Sequence, residues 1–403
     1  MRSLACVILA LAARAHADTA TPISFADAMR SAANAPALNA QRYDIVAADA
    51  LVGAAGAWAG PSLRIESNRL TAHLVAGASL PLPVFGTLGA SRRVAAANAD
   101  VVRSEAVVDT RDVLHQIAAA WIALARADGE HAAAVVAAEQ ADQLEKVARE
   151  RLASGAGAEV DLGATSAAHA RATLAESSAR RRQEAASATL AGLLGRDPLV
   201  RLAAEGDIPS GAPVSIAALQ ARLRSHPKRT VIAGRIAAAS AGAAEARTAR
   251  LPSLALEGQV SMFDPTQPGT DVLVGLSIDV PLFAHAADRV HAANATVEAE
   301  RARLAATEVE LGGQLVAAYR RWQEASETLA ALEKTILPAQ EKASSLAMQA
   351  FREGARDVSS ALQADRDLAA VRAELVAARA DTGLAWIDLR AASGDPLGAA
   401  NAP

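Results

Sequence analysis

The stretch "VPLFAHAADRVHAANA", residues 280–295, changes its pattern near its centre. The residues leading up to it alternate between apolar and polar, which is typical of a β-strand, and its second half follows an alanine-rich helical pattern. The same change occurs in "LPVFGTLGASRRVAAANA", residues 82–99. Both junctions hold a proline followed two positions later by a phenylalanine: Pro83 and Phe85, then Pro281 and Phe283. The chain thus makes one strand-to-helix transition twice, which indicates an internal duplication.

Further matched fragments extend the duplication along the chain. In the same order, "PSLRIE" returns as "PSLALE", "RVAAANA" as "RVHAANA", Trp121 as Tyr319, and "GRDP" as "SGDP". Most of these pairs lie 191 to 198 positions apart, which predicts two structural repeats. The predicted segments are a signal peptide at 1–17, a first repeat at 18–204, a linker at 205–213, a second repeat at 214–396 and a tail at 397–403.

Each repeat is predicted to contain a helix pair, a strand hairpin and two long helices joined by a glycine-containing turn. The hairpins are predicted at about 61–82 and about 252–281, because apolar and polar residues alternate there. The long helices are predicted at about 87–195 and about 285–393, where Pro338 is the only proline. The first helix of each pair would extend roughly 100 Å, so it must pack along its length against other helices.

The composition fits closely packed helices better than a large globular core. Of 403 residues, 52% are hydrophobic but only 3% are aromatic, because alanine supplies most of the apolar residues. Alanine has the highest helix propensity and lets helices approach closely, but its side chain buries little area. The formal net charge of −4 gives no reason to expect binding of nucleic acid.

The N-terminal stretch "MRSLACVILALAARAHA" is predicted to be a secretory signal peptide. Arg2 supplies the positive charge, residues 4–13 the apolar run and residues 15–17 the small-residue cleavage site. Cys6 is the only cysteine, and it could instead be a lipid attachment site, although only five residues precede it. The mature chain is then expected to fold outside the cytoplasm without a disulfide.

The predicted strands have the length and alternation of membrane-spanning strands. Strands of about 9–11 residues that are apolar on one face suit a transmembrane barrel. A small soluble sheet with one buried face is the alternative. The long helices after each hairpin and the predicted secretion favour the barrel. Since lipid does not tolerate open sheet edges and bacterial barrels start at about eight strands, several copies must contribute to one barrel.

The duplicated helix–hairpin–helix plan and the two junctions resemble outer-membrane efflux proteins of the TolC type. The similarity is greatest to the outer-membrane subunits of heavy-metal (cation) efflux systems, and it covers essentially the whole mature chain. It implies a mainly α fold with a membrane β-barrel, in which a homotrimer shares a 12-stranded barrel continued by a periplasmic α-helical tunnel. It also implies an outer-membrane duct whose partners are lipid, a periplasmic membrane fusion (adaptor) protein and an inner-membrane RND pump.

Two other functions stay open at this point. The first is a drug-efflux or type I secretion channel of the same architecture. The pump largely selects the cargo, so the sequence of the channel does not distinguish these functions from metal export. A periplasmic coiled-coil adaptor or scaffold is the other. Adaptors normally have one helical hairpin, however, so the duplication and the two alternating strand hairpins favour the duct.

The turns between the long helices carry the candidate docking residues. They lie in "RLASGAGAEVDL", residues 151–162, and in "FREGARDVSSAL", residues 351–362. Gly155 and Gly354 are predicted to end their helices with positive φ. The resemblance implies that these tips form the periplasmic mouth, which an adaptor grips.

The resemblance also assigns roles to single residues. It implies that Asp161 lines the constriction of the mouth, although Ser360 takes its place in the second repeat, and that Arg356 holds the mouth shut. At the junctions, Pro83 and Pro281 would end strand pairing because proline lacks an N–H. The two junction phenylalanines, Phe85 and Phe283, would lie in an interfacial aromatic belt, with ordinary packing as the alternative.

The sequence offers no catalytic or metal site. The histidines of the mature chain are scattered, no His-x-x-x-His pair occurs, and no thiol is present. Motifs for a nucleophilic serine, a phosphate loop or a dinucleotide are missing. We therefore expect a channel that is not an enzyme and needs no cofactor, even if metal ions are its cargo.

Overall fold

The computed structural model describes residues 20–67, 74–211, 215–248, 250–262, 269–280 and 285–396. The chain forms two compact units. The first comprises Met1–Asn39, Thr110–Arg224 and Leu311–Pro403, and the second comprises Ala40–Asp109 and Ser225–Glu310. Each unit therefore combines segments of both predicted repeats. None of the described helices has the length and apolar character needed to cross a bilayer.

Helices account for most of the described residues. Alanine dominates them, as expected from its helix propensity. In chain order they are α1 (Phe25–Ser31), α2 (Pro36–Ala55), α3 (Thr87–Ala153), α4 (Glu159–Leu193), α5 (Ile216–Arg222), α6 (Pro227–Thr248), α7 (His285–Ala331), α8 (Leu337–Arg352) and α9 (Val358–Ser393). Short 3-10 turns, Ala32–Asn34 and Leu223–Ser225, follow α1 and α5.

A π-helical segment, Leu332–Ile336, joins α7 to α8. The amide of Leu337 donates to the carbonyl of Leu332, five residues back. Pro338 follows directly, and a proline ring inside an α-helix clashes with the carbonyl four residues earlier, so the widened turn keeps the helix continuous. The run 285–352 is consequently one residue longer than α3, which has 67 residues.

This extra residue corrects the predicted spacing of the repeats. Aligning the fragments "GRDP" and "SGDP" position by position matches Gly195 with Ser393, a spacing of 198 residues. In the structure, Gly195 and Gly394 both end a helix with positive φ, at 68° and 79°. Equivalent residues are thus 199 positions apart beyond the π-helical segment, against 198 at the starts of α3 and α7.

Two short strands lie in the first unit, and the sequence pattern did not reveal them. Strand β1 (Thr21–Ser24) pairs in parallel with β4 (Leu202–Glu205), which reaches the first residue of the predicted linker. The long helices hold both strands. Trp121 of α3, fully buried, donates its indole N–H to the carbonyl of Ile23 over 2.9 Å. Asp128 accepts the backbone N–H of Ala204 over 2.8 Å.

The second unit contains a four-stranded antiparallel sheet with the order β2-β3-β5-β6. The strands are β2 (Ser62–Glu66), β3 (Leu74–Leu82), β5 (Ser253–Met262) and β6 (Thr270–Asp279). Both predicted hairpins therefore exist, and β3 and β5 join them edge to edge through nine register pairs, from Leu74↔Met262 to Leu82↔Leu254.

The register places the apolar residues of all four strands on one face. Across the sheet, Leu63 lies opposite Ala78, Leu80 opposite Leu256 and Leu256 opposite Leu276. Much of this face is exposed: Leu63 is 72% and Val274 73% accessible. The opposite face carries mostly polar and small residues. A sheet with one exposed apolar face needs an apolar environment outside the chain.

Candidate docking surface at the helix tips

The two predicted tip turns share one geometry, in which a left-handed glycine ends the incoming helix. Gly155 and Gly354 both have φ of 76°, as the sequence predicted. After each glycine, an alanine amide donates to a carbonyl of the last helical turn: Ala156 to Arg151 over 2.9 Å, and Ala355 to Ala350 over 2.9 Å. This bonding pattern is the Schellman motif, which satisfies carbonyls at the helix end and reverses the chain within a few residues.

Arg151, in the last turn of α3, connects the two turns. Its guanidinium donates to the carbonyl of Phe351 in α8 and, over 3.2 Å, to the carbonyl of Ala156 in its own turn. Its Cζ atom also lies 4.8 Å from the centroid of the Phe351 ring. A guanidinium that binds two carbonyls and an aromatic face fixes both partners in one geometry. The two tips, 200 residues apart in sequence, are therefore held as one surface.

An apolar cluster lies directly behind the tips. Phe351 is 1% exposed, and it packs with five other buried residues from α3 and α9: Leu144, Ala148, Val358, Ala361 and Leu362. Val160 at the start of α4 is by contrast 78% exposed. The tip thus combines a rigid apolar base with an exposed apolar side chain, which suits contact with another protein.

The first turn is tight at Gly157. A Cβ atom added there would lie 2.9 Å from the backbone nitrogen of Leu152, closer than real side chains approach. Arg356 takes the equivalent place in the second turn, where it is exposed. Among the described residues, its guanidinium has no hydrogen-bond or salt-bridge partner.

Asp161 is partly exposed in the first turn of α4. The positive end of the helix dipole stabilises a carboxylate at this position. In the second repeat, Asp357 occupies the position before α9. Hydrogen bonds lower the pKa of Asp357, chiefly the one that the Ser359 hydroxyl donates to its carboxylate over 2.7 Å. Each tip thus presents a carboxylate, although at different positions of the turn.

A polar cluster joins α3 to α4 about two turns from the tip. Glu145 is 8% exposed, and it accepts hydrogen bonds from His169 over 2.8 Å, from Arg149 over 2.6 Å and from Ser166 over 3.2 Å. These partners, His169 first, hold the pKa of Glu145 below its usual value. The described residues contain no group of three or more His, Cys, Asp or Glu that could hold a metal ion.

The junction residues lie in the second unit. Pro83 directly follows β3, whose last register pair is Leu82↔Leu254, so pairing ends where the proline was predicted to end it. Phe85 is 42% exposed. Pro281 and Phe283 lie outside the described residues.

The tip residues that the sequence analysis missed are Arg151, Gly157, Val160 and Phe351. A signal for Gly157 was present, since "SGAG" holds two glycines where one helix cap is needed. Arg151 and Phe351 carried none, because their contact depends on how the two hairpins pack.

A family model described as "Outer membrane efflux protein" matches residues 219–395. No curated protein sequence matches the chain. The fold is shared with solved channels over nearly the whole chain. The outer-membrane channel OprN is 18% identical with a TM-score of 0.76, and the alignment covers 92% of this chain and 89% of OprN.

Two further solved channels show the same similarity. CusC is 17% identical with a TM-score of 0.73, covering 91% of each chain. The open state of MtrE from Neisseria gonorrhoeae is 15% identical with a TM-score of 0.73, covering 93% of this chain and 89% of MtrE. The second repeat thus matches the model of the outer membrane efflux protein family, and the chain as a whole shares the fold of these solved outer-membrane channels.

Proposed function

We propose that three copies of this chain form a channel that carries metal cations across the periplasm and the outer membrane. The observation that carries the proposal is the four-stranded sheet with its exposed apolar face. Its outer strands, β2 and β6, each leave one edge without a partner in the described sheet. Backbone groups cannot stay unpaired in lipid, so β2 of one chain must pair with β6 of the next.

Strand number supports an assembly of several chains. Each chain contributes four strands, whereas bacterial barrels start at about eight. Three chains would supply a 12-stranded barrel, the arrangement that the resemblance to TolC-type proteins implies. In this assembly the apolar face contacts lipid and the polar face lines the pore. Phe85 and Phe283 would then lie near the lipid boundary, where amphipathic and aromatic side chains collect.

The tip surface is the proposed contact for a periplasmic adaptor, which in turn connects to an inner-membrane RND pump. Its proposed docking residues are Gly155, Asp161, Gly354 and Arg356. Arg151 supports this proposal because it holds both turns in one arrangement, so that a partner meets one preformed surface. Members of the family are channels rather than enzymes, so the chain is expected to supply a route and no chemistry.

The polar face of the sheet favours cations over anions. Its charged residues are four carboxylates and one arginine: Glu66, Glu257, Asp271, Asp279 and Arg64. The arginine is already paired with Glu66 over 3.0 Å. Three copies would surround the pore with an excess of negative charge, which raises the local concentration of cations.

Ion selectivity tests this proposal in the purified protein. In planar bilayers under a gradient of potassium chloride, the channel is expected to show the reversal potential of a cation-selective pore. The double variant Glu257→Gln/Asp279→Asn should shift that potential toward zero, while Glu310→Gln, outside the sheet, should leave it unchanged. An anion-selective wild-type channel would contradict the cation assignment without affecting the channel itself.

The cargo is tested in cells. A strain without the gene should become sensitive to one or more salts of copper, silver, zinc, cobalt, nickel or cadmium, and the gene should restore growth. Susceptibility to lipophilic drugs should stay the same. Restored drug resistance with unchanged metal tolerance would overturn the metal assignment and support a drug-efflux channel.

A further inference from the structure

The repeated motif "RVAAANA" and "RVHAANA" begins with an arginine in each copy, Arg93 and Arg289. Both arginines lie within about two turns of the start of a long helix, α3 or α7, directly after the strand-to-helix junction. In the second copy the next residue, Val290, is buried, whereas the arginines point outward and are exposed. Burial in the helix core explains why the valine is repeated, but it does not explain why an exposed arginine is repeated beside it.

Three more arginines surround the same junction. Arg92 precedes Arg93, and its Cδ would lie 3.1 Å from a Cβ added to Gly56, so it lies against the end of α2. Arg247 lies in the last turn of α6, and Arg250 lies between α6 and β5. We call these five residues the arginine collar: Arg92, Arg93, Arg247, Arg250 and Arg289. All five are exposed.

The collar differs from the other arginines of the second unit by its lack of partners. Farther along the helices, Arg229 pairs with Glu308 over 2.7 Å and Arg235 with Glu105 over 2.5 Å. Within the described part of the chain, no collar arginine has a side-chain hydrogen bond or a salt bridge. Since exposed helices normally intersperse opposite charges, five unpaired arginines at one level form a concentrated positive surface.

Carboxylates at this level do not neutralise the collar. Glu245 accepts a hydrogen bond from the Ser91 hydroxyl over 2.5 Å, and Asp279 lies 3.5 Å from the Ser253 hydroxyl. Asp288 is exposed beside Arg289. Five arginines thus face three carboxylates, two of which contact a serine.

Apolar surface lies directly beside the collar. The exposed apolar face of the sheet ends here, and Trp58 is 56% exposed although its indole N–H donates to the carbonyl of Pro81 over 2.6 Å. A cleft of about 780 Å³ lies between the strand ends and the helices, lined by Trp58, Leu82, Phe85 and Leu254 and, on its polar side, by Arg289, Glu245 and Asp279. Positive charge next to an apolar cleft matches an amphiphile with an anionic head and an apolar tail.

We propose that the arginine collar binds the phosphate groups of anionic phospholipids in the periplasmic leaflet of the outer membrane. This inference rests on the proposed barrel, which puts the apolar strand face in lipid and the junction at the lipid boundary. Guanidinium groups bind phosphate oxygens in pairs of hydrogen bonds, and basic residues near an anionic lipid surface are strongly attracted to it. The repeated motif then places one phosphate-binding arginine after each hairpin, so that both hairpins are fixed at the same depth.

The test uses the purified full-length protein in detergent, with either phosphatidylglycerol or phosphatidylcholine added, and counts retained lipids by native mass spectrometry. Wild-type protein should retain phosphatidylglycerol roughly tenfold better than phosphatidylcholine. The triple variant Arg92→Gln/Arg93→Gln/Arg289→Gln should lose this preference. The charge-matched control Arg229→Gln/Arg235→Gln/Arg301→Gln, which removes three paired arginines of the same unit, should keep it. Glycerol phosphate, the head without the tails, should compete only weakly.

Three outcomes would overturn the proposal. One is an equal lipid preference in wild type and the collar variant. Another is loss of oligomers by the collar variant in lipid-free detergent, which would make the collar a contact between chains. A third is full competition by glycerol phosphate, which would indicate a simple phosphate site. If wild-type protein forms no channel in bilayers at all, the proposed function fails instead, and that result is recorded independently of lipid retention.

Discussion

The guanidinium of Arg151 lies over the ring of Phe351, with Cζ 4.8 Å from the ring centroid, and donates to the carbonyl of the same residue. This contact connects the end of α3 to the end of α8, and a second bond to Ala156 includes the first turn. Together with the apolar cluster around Phe351, this side chain therefore fixes how the two tips of one chain are arranged. The proposed docking of an adaptor at the tips depends on this arrangement.

Arg151→Ala should loosen the tips without unfolding the chain. It removes two hydrogen bonds from a charged donor, so we expect a local loss of about 2 kcal/mol. Hydrogen exchange should become faster in residues 350–358, and metal tolerance should fall in cells. Arg151→Lys should rescue only in part, because a lysine cannot bind two carbonyls in a fixed geometry. Arg352→Ala removes an exposed arginine one residue from Phe351, and it should change neither quantity. Equal effects of both alanine variants would contradict the role of Arg151.

Gly354→Val should abolish efflux while trimers still assemble and insert. At φ of 76° a β-branched residue is strained by roughly 1 kcal/mol or more. The added Cβ would meet only Arg151, 3.6 Å away, so strain rather than a clash is the expected cause. Gly163→Val is the control, because its Cβ meets nothing within 4 Å and its φ is ordinary. Full metal resistance in Gly354→Val, or loss of the trimer, would show that this glycine is only a helix cap.

Arg356→Glu should open the closed mouth. Its exposed guanidinium has no partner within the described residues, so we expect it to contact a carboxylate of a neighbouring chain in a closed trimer. Charge reversal would turn this attraction into repulsion, and passive conductance in planar bilayers should rise. Arg352→Glu, at the same tip, should leave conductance near the wild-type value. Unchanged conductance in both variants would remove Arg356 from the gate.

Acid should weaken the hairpin of α3 and α4. The pKa of Glu145 is lowered, mainly by the hydrogen bond from His169, so its stabilising contribution exists above the unfolded-state pKa and is lost as the pH falls through the folded one. Glu145→Gln should therefore lower the Tm at pH 7, and the difference from wild type should shrink below about pH 4. Exposed Glu139→Gln on the same helix should have little effect. A difference that grows in acid would contradict this assignment.

Local signals predicted much of the fold. Alternation located both hairpins, and glycine located the helix caps, because each feature depends on residues only a few positions apart. The strands β1 and β4 were missed because four residues are too few for a periodic signal. Pro338 was visible, but a proline can break, kink or widen a helix, and only the packed structure shows the π-helical segment.

The docking surface was predicted less completely than the fold. Gly155 and Gly354 carry their own conformational requirement, so the sequence alone locates them. Arg151 is one of many arginines on a long helix, and nothing near it in sequence points to Phe351. The repeated motif that contains Arg93 and Arg289 was visible in the sequence. The lack of partners that distinguishes the arginine collar was not, because it depends on which carboxylates the folded helices place near these arginines.

Disulfide crosslinking tests most directly whether β2 of one chain pairs with β6 of another in a closed trimeric barrel. The only cysteine lies within the predicted signal peptide, so the mature chain suits disulfide crosslinking. Single cysteines at Ser62 or Arg64 in β2 should be combined with cysteines at Gly275, Ser277 or Asp279 in β6, since facing residues of paired strands lie within disulfide reach. Mild oxidation of outer membranes should give a covalent trimer for the pairs in register and none for matched pairs between β2 and α6. Recovery of only monomers from every β2–β6 pair would contradict the claim.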